Sequence, residues 1–319
     1  MIGFLLYKQN LNKLETVLKV EDKHLEQLSK IYEFAIHLFK NDDTTFLVGD
    51  NDETEVLKIS SLKTKMEKLY LLMFGDKVDQ KNSKIYFKSG YGFLRNSKFN
   101  ILFLRANNIR SSHFHNDLLS FQLAYGDKDF FIDSNTFNYN TNKEKRVSYL
   151  RTQSHNTCFV NNIEQSRIEA NDSFLRNKSI RSYCKKSNVS NTRDEMTLEA
   201  KYNSFSHLRS LIFNKEQNKL SIFDTFNGKV RAIEWNLYCP KEVKVHNNLT
   251  LKNVLILENA GLKLILELPE TLSYTLNNAF VSKGYNSEEI GTNIKLKFEN
   301  KNNISNLSFQ IVIKENYLN

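Results

Sequence analysis

The residues best suited to chemistry lie in one stretch, from Ser112 to Gln165. It holds three of the seven histidines, His113, His115 and His155, together with several carboxylates. Histidine and carboxylate side chains gathered around short strands are how proteins build metal sites or proton-transfer sites. This stretch therefore predicts one of these two kinds of site.

The spacing of these residues suggests how they could meet. On an extended segment residues two apart face the same side, so His113, His115 and Asp117 would project together. Asp133 ends the next predicted strand after a hairpin turn, which brings it near His115. His155 would begin a further strand. Two imidazoles and one carboxylate form a common ligand set for zinc or manganese. The alternative is a polar cluster at a sheet end, with His155 bonded to turn backbone.

The elements that must position these residues differ along the chain. Residues 1–80 are predicted to be helical, with apolar residues three to four apart from Leu25 onward and again from Leu62 to Met73, and Asp22 could cap the first helix. Between the two helices, Asp50 and Asp52 are predicted to be turn and cap residues. Two or three helices cannot close a core alone, so they must pack on something else.

Residues 81–319 show a different pattern, in which eleven short apolar runs alternate with Gly, Asp and Asn turn signals. The pattern predicts an antiparallel β domain, most simply a large β-sandwich. On one of its strands His207 and Arg209 alternate with Leu208. They face either a cleft, where Arg209 could bind a sugar carboxylate, or solvent.

Composition limits the classes of function. The chain has 319 residues, 40% of them hydrophobic, and a net charge of +9, which favours an anionic partner. No apolar run is long enough for a transmembrane helix, and the first apolar run is too short for a secretory signal. The three cysteines are odd in number and far apart, so no disulfide framework is expected. No nucleic-acid-binding motif is present, and we expect no such partner.

Several ordered motifs resemble one known family. They are HFHNDLLSFQLAYG (113–126), TFNYN (136–140), RVSYLRTQSHNTCFV (146–160), GDNDETEVLKIS (49–60), SGYGFLR (89–95), SHLRSLIF (206–213) and FDTFNG (223–228). Together they are similar to the C-terminal region of the heparinase II/III-like polysaccharide lyases. Asn135 stands where the family usually has glycine, which costs little if the backbone there is left-handed.

The resemblance implies a fold and roles for individual residues. The family packs an (α/α) toroid on an antiparallel β-sandwich, so residues 1–80 would be the end of a toroid. His113 matches the catalytic histidine, while His115, Asp133 and His155 match the metal ligands. The metal would be divalent, zinc by expectation, and structural.

The resemblance also implies an activity. The family cleaves uronic-acid-containing polysaccharide by β-elimination, and the positive charge suits an acidic substrate. The toroid's catalytic Tyr and its Asn or His partner have no counterpart in this sequence, so the expected function is an incomplete lyase, which a separate toroid polypeptide could complete. The alternative is a metal-stabilised sandwich that binds anionic glycan without cleaving it. The family implies a periplasmic or secreted location, although a cytoplasmic one stays open.

Overall fold

The computed structural model describes residues 22–40, 44–51, 62–79, 82–104, 113–139, 142–168, 181–202, 204–304 and 306–316. They fall into two compact units. The first contains residues 22–39 and 62–79, and the second contains the described residues of 40–51 and from 82 onward. Residues 52–60 of the GDNDETEVLKIS motif, including Asp52, lie outside the described residues.

The first unit contains two helices, α1 (Asp22–His37) and α2 (Leu62–Phe74). The apolar spacing predicts both, and α1 begins at the residue proposed as its cap. Tyr32 of α1 meets Phe74 of α2 edge to face, with ring centroids 6.4 Å apart. The Ser29 hydroxyl lies 3.1 Å from the Tyr70 hydroxyl, so the two helices share both an aromatic and a polar contact.

The second unit begins with a five-stranded antiparallel sheet whose strands pair in chain order. The strands are β1 (Lys84–Tyr86), β2 (Tyr91–Arg95), β3 (Phe99–Leu104), β4 (Phe121–Tyr125) and β5 (Lys128–Phe131). Every residue of β2, β3 and β4 is buried, so this sheet is covered on both faces.

A short helical connection follows this sheet. Helix α3 (Lys143–Leu150) is capped by Asn142, whose side chain accepts a hydrogen bond from the backbone N–H of Lys145. A 3-10 turn (Thr152–Ser154) comes next. Neither element is predicted by the sequence pattern.

Two further antiparallel sheets complete the unit. Their strands are β6 (Cys158–Val160), β7 (Arg181–Val189), β8 (Arg193–Lys201), β9 (Phe205–Asn214), β10 (Lys219–Gly228), β11 (Val230–Cys239), β12 (Lys244–Asn247), β13 (Val254–Asn259), β14 (Leu262–Glu267), β15 (Ser273–Gly284), β16 (Ser287–Ile304) and β17 (Leu307–Glu315). Eight form a sheet in the order β12-β13-β14-β17-β10-β9-β8-β7, and four form a sheet in the order β15-β16-β11-β6.

One hydrophobic core joins the three sheets. It contains Phe121 from the first sheet, Phe213 from the second and Trp235 from the third. Each large apolar side chain buried in this way contributes about 1.5–3 kcal/mol relative to exposure. The mainly antiparallel β fold predicted from the sequence is confirmed, and all eleven predicted apolar runs contribute strands.

Among the described residues, no helix has the length and apolarity that crossing a membrane requires.

Candidate metal and catalytic site

Three irregular segments at one end of the first sheet supply the predicted metal ligands. His115 precedes β4, Asp133 follows β5, and His155 lies between the 3-10 turn and β6. The prediction of an extended strand at residues 113–117 is wrong, because His113 lies in a turn and the segment after it is irregular. His155 also stands three residues before the strand that the sequence pattern assigns to it.

The three side chains converge although they are distant in sequence. One ligand atom each from His115, Asp133 and His155 lie within 4.8 Å of one another, and all three residues are buried. The two imidazole rings are 5.2 Å apart between centroids. This arrangement matches the donor set expected for a divalent metal.

Asp133 is held by two hydrogen bonds. It accepts one from the Asn135 backbone N–H at 2.8 Å, and its other oxygen lies 2.7 Å from His155 Nδ1. Burial alone would raise the pKa of Asp133, but the charges of His155 and His115, together with the hydrogen bonds from His155 and Asn135, outweigh burial and lower it. Asn135 adopts a φ of 63°, so the residue that replaces the family's glycine does occupy a left-handed position.

Asp50 is the centre of the site, although the sequence pattern assigns it only to a turn. Its Oδ1 lies 2.9 Å from His115 Nε2 and accepts a hydrogen bond from Thr136 at 2.6 Å. Its Oδ2 lies 2.9 Å from His113 Nδ1, and Arg146 donates to both oxygens at 3.1 and 2.9 Å. Burial opposes the charge on Asp50, but the hydrogen bonds from His115 and Arg146 outweigh it and hold its pKa well below the ordinary value.

His113 differs from the other histidines of the site because it reaches the surface. Its side chain is 63% exposed, whereas the side chains of His115 and Asp50 are almost fully buried. Tyr139 meets the His113 ring edge to face at 6.3 Å. His113 therefore presents an accessible imidazole directly beside the buried cluster.

The buried cluster fits a metal ion. His115 Nδ1 and His155 Nε2 are both buried and have no hydrogen-bond partner among the described residues. The other nitrogen of the His115 ring lies at hydrogen-bonding distance from Asp50, which is outside the proposed ligand set, whereas His155 Nδ1 faces Asp133, which is itself a proposed ligand. Metal-binding histidines almost always make an outer contact like that of His115, which fixes the tautomer and aims the remaining nitrogen at the metal. A buried nitrogen left without a partner is otherwise costly.

Asp117 adds a further buried carboxyl group near the cluster. Burial raises its pKa to about 7, and His155 and Asp133 both act on it electrostatically. Its Oδ1 has no hydrogen-bond partner among the described residues. A divalent cation nearby would favour its ionised form.

The predicted cleft positions of His207 and Arg209 are wrong. Both side chains are buried, and both contact Asp224: His207 Nε2 lies 2.6 Å from its Oδ1, and Arg209 donates to both carboxylate oxygens at 2.7 and 2.9 Å. Arg209 also donates to two backbone carbonyls. A polysaccharide cannot reach either residue, and neither is left as a substrate-binding candidate.

Cys158, His207 and Asp224 form a second group with metal-ligating atoms in proximity. The Arg209 guanidinium lies within this group, 3.1 Å from Cys158 Sγ and bonded to Asp224. Burial raises the pKa of the Cys158 thiol well above its ordinary value, which keeps it protonated. A fixed positive charge beside a neutral thiol opposes cation binding, so we interpret this cluster as structural.

The sequence contained one signal for Asp50 and one for Arg146. Both lie inside motifs that carry the family resemblance, GDND and RVSYLRT. Nothing in the spacing shows that they pair, because they are 96 residues apart.

Comparison with known proteins identifies the family of this chain. The Heparinase II/III-like, C-terminal family matches residues 79–313, which is most of the chain. The chain belongs to the heparinase II/III-like family. No curated protein matches it.

Solved structures show the same fold as this heparinase II/III-like chain. The "Heparinase III-BT4657 gene product" superposes with a TM-score of 0.74 at 19% sequence identity, covering 92% of this chain and 47% of its own. The heparan sulfate lyase HepC from Pedobacter heparinus gives a TM-score of 0.76 at 16% identity, covering 92% of this chain and 47% of its own. The chain thus spans about half the length of these proteins, and the likeness confirms the β-sandwich fold.

Proposed function

We propose that this chain is the C-terminal portion of a polysaccharide lyase that cleaves uronic-acid-containing polysaccharide by β-elimination. One observation carries the proposal: an exposed imidazole, His113, is bound to the same carboxylate as a buried imidazole of the metal-ligand cluster. This juxtaposition occurs in a chain that belongs to a family of lyase-related proteins.

The reaction requires three kinds of assistance. A uronic acid carries a weakly acidic proton at C5, and elimination removes it, forms a C4–C5 double bond and breaks the bond from C4 to the leaving oxygen. A base must take the proton, an acid must help the leaving oxygen, and a donor must neutralise the uronate carboxylate. His113 suits the transfer of a proton, because Asp50 holds its Nδ1–H and leaves Nε2 as the basic nitrogen.

The metal that we propose is a zinc ion bound by His115, Asp133 and His155. When bound, it would supply structural cross-linking. The three ligands come from segments before β4, after β5 and before β6, so joining them fixes the loops that surround His113.

The remaining catalytic groups are proposed to come from outside this chain. The family resemblance places a tyrosine and an Asn or His on the toroid, and the two solved lyase structures above are about twice as long as this chain. We propose that a toroid, in the same protein or in a separate polypeptide, completes the cleft. The net charge of +9 favours an acidic polysaccharide as substrate.

The test is co-expression of the chain with a toroid segment encoded next to it. Acidic and neutral polysaccharides are then compared by the ultraviolet absorbance of the unsaturated product. We expect turnover of an acidic polymer only, and His113→Ala should reduce it by about 10²–10⁴-fold. His246→Ala, at an exposed histidine on β12, is the matched control and should leave turnover unchanged. An acidic polymer that binds without any product would favour the non-catalytic alternative.

A further inference from the structure

We propose that Asp50 is a positioning residue that holds the catalytic histidine and a metal-ligand histidine through one carboxylate, and so links metal occupancy to the orientation of His113. The role of His113 rests on the proposed function, whereas the effect of Asp50 on metal binding does not. The side chains involved are His113, Asp50 and His115, and the Asp50 carboxylate lies between the two imidazoles.

The geometry of Asp50 divides its two oxygens between the two histidines. Oδ1 faces His115 Nε2 and Oδ2 faces His113 Nδ1, each at 2.9 Å. Arg146 donates to both oxygens, which fixes the plane of the carboxylate. Asp50 and Arg146 are almost fully buried, so solvent does not compete for these bonds.

An ionised carboxylate accepts hydrogen bonds and cannot donate them. His115 must therefore carry its proton on Nε2, which leaves a lone pair on Nδ1, the buried nitrogen without a partner. His113 must carry its proton on Nδ1. One carboxylate thus selects the tautomer of both rings, so that His115 can bind a cation and His113 can accept a proton.

The backbone around Asp50 reinforces this arrangement. The Asp50 N–H donates to the His113 carbonyl oxygen at 3.0 Å. The preceding Gly49 has a φ of +58°, and a Cβ at that position would lie 2.5 Å from the same oxygen. The Asn51 N–H donates to Asn135 beside the metal-ligand Asp133. The bend at residues 49–51 therefore fastens both the loop before β4 and the loop after β5.

The link between the metal and His113 follows from these shared restraints. A cation on His115 fixes that ring, the ring fixes Asp50 Oδ1, and the rigid carboxylate fixes Oδ2 against His113. Without the cation, the hydrogen-bonding contacts of His115 within the described part of the chain are those with Asp50 and Thr136. We expect the His113 ring to respond to metal binding even though the proposed metal ligands exclude it.

The experiment compares Asp50→Asn with Asp224→Asn in the full chain. Asp224 is a matched control, because it is equally buried and also contacts a histidine and an arginine. Zn²⁺ affinity is measured by competition with a chromogenic chelator. Asp50→Asn should weaken binding by about 10–100-fold, the usual effect of losing an outer carboxylate. Asp224→Asn should stay within about twofold of the wild type, because the hydrogen-bond partners of Asp224 among the described residues are His207, Arg209 and Trp235 and none of the proposed ligands.

A second readout is the ¹⁵N spectrum of the histidine side chains. In the wild type we expect His115 in the Nε2–H form and a shift of the His113 signals on adding Zn²⁺. In Asp50→Asn the His113 signals should no longer respond to Zn²⁺. If Asp50→Asn does not fold, Asp50→Asn combined with Arg146→Gln avoids a buried unpaired charge and carries the same prediction.

The inference is overturned if the folded Asp50 variant binds Zn²⁺ within twofold of the wild type, if the His113 signals do not respond in the wild type, or if the wild type binds no Zn²⁺. Equal losses in both Asp variants also overturn it, because they show a general stability effect. A chain that meets these expectations but shows no lyase activity with any toroid contradicts only the proposed function.

Discussion

Two buried carboxylates in the β unit have nearly the same immediate partners and different surroundings. Asp50 and Asp224 each lie at hydrogen-bonding distance from a histidine Nε2 and accept two hydrogen bonds from an arginine. Around Asp224 the Trp235 indole N–H adds a further donor, and His207 stacks on Phe226 with ring centroids 4.6 Å apart. That cluster is closed by the core.

The cluster around Asp50 is not enclosed by the core. On one side His113 reaches the surface, and on the other side lie the buried nitrogens of His115 and His155. The comparison shows that a His–Asp–Arg group does not by itself indicate function. The second nitrogen of each histidine, Nδ1, is buried without a hydrogen-bond partner among the described residues. What distinguishes the two is what surrounds the ring: His155 and Asp133 lie beside His115, whereas His207 lies beside Phe226 and the Arg209 guanidinium.

The largest expected effect is a loss of free energy of unfolding when Asp224 is removed from the closed cluster. Asp224→Ala leaves Arg209 as a buried, uncompensated charge, so the free energy of unfolding should fall by about 3–5 kcal/mol. Urea denaturation followed by tryptophan fluorescence measures it, since Trp235 is the single tryptophan and contacts Asp224. A loss below about 1 kcal/mol would contradict the structural role that we assign to this cluster.

The next expected effect is a gain in the free energy of unfolding on Zn²⁺ binding, which should depend on the cluster around His115 and His155 and not on the cluster around Asp224. At a free Zn²⁺ concentration of 100 times the dissociation constant, the wild type should gain about 2.7 kcal/mol, measured by denaturation with and without the ion. His155→Ala should abolish this gain. His207→Gln, which alters the other cluster, should retain it. If His207→Gln loses the gain and His155→Ala keeps it, the metal has been assigned to the wrong cluster.

A smaller effect is expected at the bend that carries Asp50. Gly49→Ala should lower the free energy of unfolding by about 1–3 kcal/mol because of its positive φ and the close His113 carbonyl. Gly261→Ala is the matched control, with a φ of +84° and open space around the added Cβ. The excess loss in Gly49→Ala over Gly261→Ala measures the close approach to His113. Equal losses for the two variants would show that the approach carries no constraint.

The smallest effect is a pH dependence at the closed cluster. Burial lowers the pKa of His207, and its bond to Asp224 offsets only part of this. Just below the ordinary histidine pKa of about 6.5, the unfolded chain therefore binds more protons than the folded chain. The free energy of unfolding falls there as the pH decreases, by at most about 1.4 kcal/mol per pH unit. In metal-free buffer, His207→Gln should reduce this slope. An unchanged slope in His207→Gln would show that His207 is not the group responsible.

The sequence predicted the fold well where apolar patterns are local. The eleven apolar runs became strands because each is short, apolar and bounded by turn residues. Strand β7 was missed because its burial is low and its residues, RSYCKKSNV, are mostly polar. Helix α3, KEKRVSYL, was missed because it is short and has few apolar residues to show a period.

The sequence predicted the site residues only through the motifs that resemble the family. The convergence of His115, Asp133 and His155 agrees with the prediction, but Asp50 was assigned to a turn because its partners lie 63 to 96 residues away. His207 and Arg209 do lie on the same face of strand β9, as their alternation with Leu208 predicts. Alternation shows that two side chains share a face, yet it cannot tell whether charged residues on that face meet solvent or a buried counter-ion such as Asp224.

The most direct test of the metal cluster beside His113 is X-ray absorption spectroscopy of the Zn²⁺-loaded chain. We expect two imidazole nitrogens and carboxylate oxygen at about 2.0–2.2 Å, with no sulfur. A sulfur shell at about 2.3 Å would place the ion at Cys158 in the closed cluster and show that His115, Asp133 and His155 do not bind it.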